Sequence, residues 1–487
     1  MKGKDGIGIG TIYLMVASVA NLIANYLIHI GLARWLEPGI YGIFGVLISL
    51  FLINRGFLGS GIPKATAKYI AESRENTAAI AGLSTKLQLA LAVALSVIFI
   101  VFADEIAGML NDATLSNNIA FIGVMVIPLA MLFLYFDGYL NGLRQFKSEA
   151  LAKILHLFLR VVFVFLFVML GLEIFGVLLG YFLAIVIALI VSVSKFGVKI
   201  DWRGDYQKKK IILFCIPIVI LSFTWIMVRN VNVLMIKSIL GDNAAAGFYT
   251  AAVAISDVTH IIFGALSITI LPAISESVSN GNITLTRRYI SESLRYLLMC
   301  LLPITAIVSA TATELVILLY SSRYAAAGDA LSILMFGTLF LVILLVLVAI
   351  ITGEGKPMYA ASFSLAALIT LIATSYVLIP QYGIQGAAIG SAIASLAGLV
   401  CGAVYVFFRF RTLTRAKSVL RITGASAVIF TIALLLPVSG ILLLPFYVFL
   451  LMFYLLILYT LREINSDDKV RIRKMLAAVG MNEPLAE

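Results

Sequence analysis

Ionisable side chains are scarce in this sequence. Only 12% of its 487 residues are Asp, Glu, Lys or Arg, about half the share of an ordinary soluble domain. A chain with so little polar cover cannot be a soluble globule, a coiled coil or a disordered segment. Cysteine is equally scarce. Cys215, Cys300 and Cys401 are an odd number and lie in apolar runs, so no disulfide framework is expected. The three histidines are too scattered for a metal site. No G-x-x-x-x-G-K-[ST] loop is present, so the chain carries no phosphate-cradling ATPase. Gly6, Gly8 and Gly10 follow no strand, which excludes a dinucleotide loop. No nucleophile elbow and no His-Glu metal helix occur, and the connectors on one side are too short for an acidic catalytic loop. The expectation is a protein that is not an enzyme and takes no cofactor.

What the chain has in abundance is apolar length. Hydrophobic residues make up 62% of it, and its solvent is therefore lipid. A spanning helix needs about 20 apolar residues. Fourteen runs satisfy this, near 11–33, 40–59, 84–103, 118–140, 149–171, 174–194, 211–236, 246–271, 292–312, 329–352, 357–379, 382–408, 416–437 and 440–461. The first run is too long for a signal-peptide core and reads as a retained helix. The expected fold class is an all-α polytopic membrane protein with about 14 transmembrane helices.

The net charge of +11 is an orientation signal. With an even number of spans, 29 of the 35 basic residues fall in segments on one side. Lys64, Lys68, Lys86, Arg144, Lys147, Lys195, Lys199 and Lys208–Lys210 are among them. Arg34 and Arg323 fall on the other side. Basic residues mark the cytoplasmic side. Both termini are expected there, in a multi-pass protein of the cytoplasmic membrane. The excess is no nucleic-acid footprint; anionic lipid head groups are the fitting partners.

The spans contain a repeat. Gly39-Ile40-Tyr41-Gly42, between spans 1 and 2, is echoed by Gly247-Phe248-Tyr249-Thr250 between spans 7 and 8. Gly142, after span 4, is echoed by Gly353 after span 10, and Gly176 and Gly180 by Gly386 and Gly390. Three echoes in nearly one register predict two six-helix lobes, residues 1–200 and 201–410, related by an axis along the membrane normal. Spans 13 and 14 (411–461) and a cytoplasmic tail (462–487) lie outside the repeat. Two such lobes without an ATPase suit alternating access about a central site. The bland competitor is a passive scaffold built by duplication.

Polar residues inside the spans argue against the scaffold, because a mid-membrane charge costs about 3 kcal/mol. Span 7 carries Arg229 and, further along, Lys237; span 5 carries His156 and Arg160; span 2 carries Arg55. Span 1 carries Asn21 and Asn25, and span 8 carries Asp257 and His260. The members of each of these last pairs, and of His156 and Arg160, share a helix face. A cavity lined by these spans would be cationic and would suit an anionic head group, above all a phosphate, which arginine grips bidentately. Each residue also has a plainer reading. Arg55 and Lys237 could snorkel to an interface. Asn21 and Asn25 could bond across helices. Asp257 could neutralise Arg229 or exchange a proton with His260. Residues 283–296 read as a basic amphipathic helix lying in the interface before span 9.

Several connectors carry a family resemblance. Arg34-Trp35-Leu36-Glu37-Pro38-Gly39-Ile40-Tyr41-Gly42 resembles the Arg-x-Leu-Gly-Pro-x-x-Tyr-Gly turn of polysaccharide exporters. Gly61 to Ala71, Gly142 to Lys147 and Tyr382 to Ala388 are similar to their segments after helix 2, after helix 4 and at helix 12. On these motifs the chain resembles the polysaccharide branch of the multidrug/oligosaccharidyl-lipid/polysaccharide exporter superfamily. The resemblance implies a flippase for polyprenyl-(pyro)phosphate-linked oligosaccharide, with the pyrophosphate on Arg229 and Arg160, assisted by Arg55 or Lys237. Asn21, Asn25 and His156 would line the same site. The polyprenyl tail would stay in lipid between helices 1 and 8 or between 2 and 7. Asp257 and His260 are the candidates for coupling to H+ or Na+, and glycan-assembly proteins are candidate partners. The chain departs from the pattern at Glu37, where glycine is usual, and at Arg229, where many members have an acid. Its rivals are a murein-precursor flippase and a cation-coupled multidrug exporter. The second would want buried carboxylates in spans 1 or 7, and none is there.

Overall fold

The computed structural model describes residues 7–204 and 206–463. The expected tail lies outside them from residue 464 onward. Without water inside a bilayer, an exposed backbone must bond to itself, and apolar runs of this length can do so only as helices. Every regular element among the described residues is helical. In order they are α1 (Ile7–Trp35), α2 (Pro38–Leu58), α3 (Gly61–Glu72), α4 (Thr77–Val101), α5 (Ala103–Met109), α6 (Ser116–Phe133) and α7 (Phe146–Met169). Then come α8 (Glu173–Phe196), α9 (Lys208–Leu240), α10 (Asn243–Ser279), α11 (Ile283–Ala310), α12 (Ala312–Leu319) and α13 (Ala327–Gly353). The last are α14 (Pro357–Phe410), α15 (Ala416–Leu435) and α16 (Leu443–Thr460).

Thirteen of these stretches are long and apolar enough to cross a membrane. One of them, α14, has 54 residues and breaks at Gly383 (φ 57°, ψ −132°), just after Pro380. This backbone conformation is open to glycine and strained for other residues. The two halves fold back on each other where Gly390 meets Ser375, and each is long enough for one crossing, which accords with about fourteen spans. The ends bearing Lys64, Lys208–Lys210 and Lys356 form one face of the bundle, called here the basic face. The opposite face carries Arg34 and Arg323 and is called the far face.

Two differences from the expected elements have local causes. The segment 283–296 is no separate interfacial helix. It is the first half of α11, because nothing before Pro303 interrupts helical hydrogen bonding. Arg287 Nε reaches the Phe410 carbonyl at 2.7 Å and Arg295 Nε reaches Glu463 Oε1 at 2.8 Å, which ties this half to the basic ends of α14 and α16. In addition, α6 passes into a π-helical turn, Leu134–Leu140, that carries Asp137. π turns leave one residue out of the α register and often mark functional sites.

Packing sorts the helices into two groups. α7 packs on α8 and α1, and α6 packs on α4 and α8. α13 packs on α10 and α14, α14 on α9, and α11 on α13 and α15. Repeat-related glycines meet equivalent partners in each group. A Cβ on Gly180 would sit 2.7 Å from the Val164 nitrogen of the preceding span, and one on Gly390 would sit 2.5 Å from Ser375 Oγ. Gly142 faces Ala67 and Ile70 of α3, and Gly353 faces Leu271 and Ile274 of α10.

Between the groups, α2 and α3 contact α9, and α2 contacts α10. At the far end of the α2–α10 contact, the turns that echo each other in sequence also touch. A Cβ on Gly42 would overlap the Asn243 carbonyl oxygen, and one on Gly247 would overlap the Pro38 carbonyl oxygen. Backbone cannot yield as a side chain can, so Gly247→Leu should break this contact. The expected result is loss of a disulfide between Cys introduced at Gly39 and at Asn243, while a control Cys pair at Ser309 and Ser332, whose hydroxyls lie 2.8 Å apart, still forms.

Candidate functional site

The polar residues singled out in the spans come from α1, α2, α7, α9 and α10. Arg229 of α9 and Asp257 of α10 form an ion pair, Nη2 to Oδ2, across neighbouring helices. Both lie well inside their helices, yet their side chains keep 28% and 29% of their exposure. Arg160 of α7 is 7% exposed. Its Nη2 donates to Asn25 Oδ1 at 2.9 Å, and its guanidinium lies over the Tyr181 ring at 5.3 Å. Its Nε has no partner. Asn25 Nδ2 in turn donates to Asn21 Oδ1 at 3.5 Å. The asparagine pair therefore bonds across helices, from α1 to α7, and what it orients is an arginine.

Arg55 is exposed and rests over the Phe133 ring at 5.5 Å. It lies within coulombic reach of Asp137, Arg160 and Arg229. His156 is within reach of Arg160 and Arg55, and its Nε2 has no partner. His260 is within reach of Arg229 and Asp257, and neither ring nitrogen has a partner. Arg55 of α2 thus feels both Arg160 of α7 and Arg229 of α9. Only Arg229 has an ion-paired carboxylate; among the described residues Arg55 and Arg160 form no ion pair. Asp137 is engaged elsewhere, with Lys153 at 2.6 Å, and Lys153 also holds Glu149 at 2.7 Å.

Two nearby residues escaped the sequence reading. The Tyr26 hydroxyl donates to the Ala254 carbonyl at 2.5 Å, bridging α1 and α10 beside Asp257. His29 Nδ1 lies 2.7 Å from the Tyr41 hydroxyl. His29 follows Asn21 and Asn25 at a spacing of four, so a helical-face count along span 1 would have found it. Tyr26 shows no such pattern.

Lys237 does not join the arginines, and its expected place in the site is corrected here. It lies eight residues beyond Arg229, about 12 Å along the helix. It is 1% exposed, and its Nζ pairs with Asp112 Oδ2 at 2.9 Å. Snorkelling does not apply either, because a carboxylate from the other helix group reaches the ammonium. Next to it, Asn111 Nδ2 donates to the Ser238 carbonyl at 2.6 Å and Ser238 Oγ to the Met109 carbonyl at 2.7 Å. Arg34 donates to the Leu318 and Leu319 carbonyls at 2.8 and 2.9 Å. Tyr41, Tyr320 and Tyr324 pack ring on ring beneath. These contacts seal the two groups together at the far face.

The seal has a testable weak point. Burial pushes the Asp112 carboxyl up, but hydrogen bonds from Thr114 and Lys237, with the ammonium charge, outweigh it and hold the carboxyl below its ordinary range. A depressed carboxylate stabilises the state that depresses it above its unfolded pKa, and the stabilisation is lost as pH falls through the folded value. The seal should therefore be at full strength above about pH 4 and weaken below it. Asp112→Asn leaves a buried ammonium unpaired, a change of about 3–5 kcal/mol. A 39–243 Cys pair, whose Cβ atoms would lie 3.8 Å apart, should then lose most of its disulfide yield. An undiminished yield would show that the other contacts suffice.

Known proteins share this fold. The described fold matches the structure of the lipid II flippase MurJ in an inward closed conformation, with a TM-score of 0.75 at 13% identity, over 94% of this chain and 99% of that one. It matches an inward-facing multidrug resistance MATE family transporter of the MOP superfamily with a TM-score of 0.73 at 16% identity, over 82% and 98%. The fold is thus that of the multidrug/oligosaccharidyl-lipid/polysaccharide exporter superfamily. Within it, the family described as polysaccharide biosynthesis protein matches residues 7–278, and the chain belongs to that family. In sequence it is 24% identical to an uncharacterized membrane protein of Methanocaldococcus jannaschii over 428 residues, 82% of this chain and 98% of the relative.

Proposed function

We propose that the chain carries a polyprenyl-(pyro)phosphate-linked oligosaccharide from the cytoplasmic to the outer leaflet. The two helix groups act as six-helix lobes, residues 1–200 and 201–410, that rock about the arginine cluster. The observation that carries this reading is Arg160: nine-tenths buried, aimed by Asn25, and without a carboxylate. A buried charge with no partner is costly unless a ligand supplies one. A pyrophosphate bridging Arg160, Arg55 and Arg229 would do so, and guanidinium groups suit its planar bidentate edges. The membrane potential helps, since an anion leaving a negative interior gains about 2.3 kcal/mol per charge per 100 mV.

The prenyl tail would lie in the seam between α1 and α10. The other seam, between α2–α3 and α9, is filled: the Phe57 and Phe223 rings are 4.8 Å apart, and Gly56 and Gly61 abut Ile226 and Val219. α1, by contrast, leaves Ile12, Met15, Val16, Val19 and Ile23 more than half exposed. We assign the basic face to the cytoplasm by its charge, with both termini on that side, so the contacts at the far face close the outward side. In intact cells Val438→Cys should react with an impermeant maleimide and Lys147→Cys should not; the reverse pattern would invert the direction of transport. The fold is shared with a multidrug resistance transporter, so a cation-coupled drug exporter is the second reading. A free carboxylate would favour it, but Asp257 is tied to Arg229. Coupling through Asp257 and His260 stays within the proposal. It predicts that Asp257→Asn removes the pH dependence of transport. The direct test is export in a strain deleted for the chain: lipid-linked glycan should accumulate in the inner leaflet, and inventory by mass spectrometry should identify it. A deletion strain with an unchanged inventory would overturn the reading.

A further inference from the structure

On the far side of the filled α2–α9 seam from the arginines lies an apolar groove of about 380 Å³. Phe57 and Ile62 form one wall, Leu87 and Leu91 of α4 a second, and Ile212, Ile216 and other residues of the first turns of α9 the third. The groove therefore runs between the two helix groups. Ile212, Ile216 and Ile220 leave 39%, 49% and 51% of their surface open, so the groove faces the hydrocarbon.

Its head end is basic. Lys208 and Lys209 begin α9, directly before the lining residues, and both are exposed. Neither forms an ion pair among the described residues. Lys86, next to Leu87, is held at the mouth by donating its Nζ to the Trp202 carbonyl at 2.6 Å. The loop carrying Trp202 and Arg203 is fixed in turn, because the Asp201 nitrogen donates to the Ala78 carbonyl of α4 at 2.9 Å. Trp202 is half exposed, in the manner of an interfacial aromatic anchor. On the adjoining side, Lys68 lies 4.2 Å from the Phe214 ring centroid and Lys210 lies 5.0 Å from that of Tyr69. Both cations lie over aromatic faces, and Lys68 also lies 3.9 Å from Glu72 Oε1.

We infer that this groove binds one anionic phospholipid of the bilayer, with an acyl chain between α4 and α9 and its phosphate on Lys86, Lys208 and Lys209. Charge complementarity selects the occupant. Apolar walls alone take any acyl chain, whereas juxtamembrane lysines attract anionic head groups, by about fivefold in affinity for each. The lipid touches both helix groups and so wedges the seam in its present closed form. Anionic lipid content would then bias the equilibrium between conformations. This inference does not depend on what the arginine cluster carries.

The experiment uses the full chain in detergent, titrated with dioleoyl phosphatidylglycerol and, separately, dioleoyl phosphatidylcholine, and read by native mass spectrometry. Thermal stability is recorded with each lipid. The expected result is a preference for phosphatidylglycerol of at least about tenfold, with a matching rise in melting temperature. Lys86→Gln/Lys208→Gln/Lys209→Gln should bring the preference close to one and abolish the added stability. Ile216→Trp keeps every charge and fills the groove, and it should lose both lipids. Because Ile216 is half exposed, that variant is expected to fold, and its unliganded melting temperature checks this. If the Ile216→Trp chain still binds phosphatidylglycerol as tightly as wild type, the groove plays no part and the inference is overturned. An unchanged preference in the lysine variant would overturn it equally.

Discussion

Arg160→Gln inserts, folds and fails to move its substrate. Glutamine keeps an amide donor on the Asn25 side but loses the guanidinium over the Tyr181 ring, and Gly31 packed against Phe165 should still hold α1 to α7. What disappears is a buried positive charge, and hydrogen bonds to charged groups are worth about 1.5–3 kcal/mol each. Loss of two such bonds to a phosphate would weaken binding by 10²-fold or more. If Arg160 were only a structural partner of Asn25, removing its charge should relieve an uncompensated cation. The variant would then be more stable and equally active. Transport of the lipid-linked glycan, set beside the melting temperature, separates the two cases. Arg160→Lys should fall between them, because a point charge keeps attraction but loses the planar fork.

The second large effect is expected at the Arg229–Asp257 pair. Removing one partner leaves the other buried alone, so Arg229→Gln and Asp257→Asn should each destabilise the chain, by about 3–5 kcal/mol at most and less here because both side chains are partly exposed. The double variant Arg229→Gln/Asp257→Asn leaves no unpaired charge and should recover stability. It should not recover transport if Arg229 also holds phosphate in the loaded state. A double variant with wild-type glycan export would reduce the pair to a brace between α9 and α10.

The contrast between Arg229 and Lys237 shows what a sequence can and cannot reveal here. Both are cations in one apolar run, and nothing local distinguishes them. Arg229 meets an acid on the next helix, and that neighbour could be foreseen from antiparallel connectivity. Lys237 meets Asp112, 125 residues away, in a connector whose fold depends on how the two groups close. The spans were legible because the cost of burying backbone in lipid leaves no other choice. The echoing glycines were legible because close helix approach demands small residues, as at Gly180 and Gly390. By contrast, the docking of the first half of α11 onto α14 and α16 depended on long-range ties from Arg287 and Arg295. The π turn at Asp137 packs through Gly138 against Pro63 and Thr66 of α3, a contact that composition does not encode. The arginine cluster was legible as a charge imbalance. Its internal order, Asn21 to Asn25 to Arg160, required the distance between α1 and α7.

The central claim is that this cluster recognises an anionic phosphate head group in transit. It is tested most directly in proteoliposomes that hold the purified chain and a fluorescent polyprenyl-pyrophosphate-linked sugar, with leaflet exchange followed by quenching from outside. A matched set contains a neutral analogue bearing the same sugar and tail on an ether in place of the pyrophosphate. The account predicts rapid exchange of the pyrophosphate lipid by the wild-type chain, none by the Arg160→Gln chain, and none of the neutral analogue by either. Exchange of the neutral analogue at the same rate as the pyrophosphate lipid would contradict it.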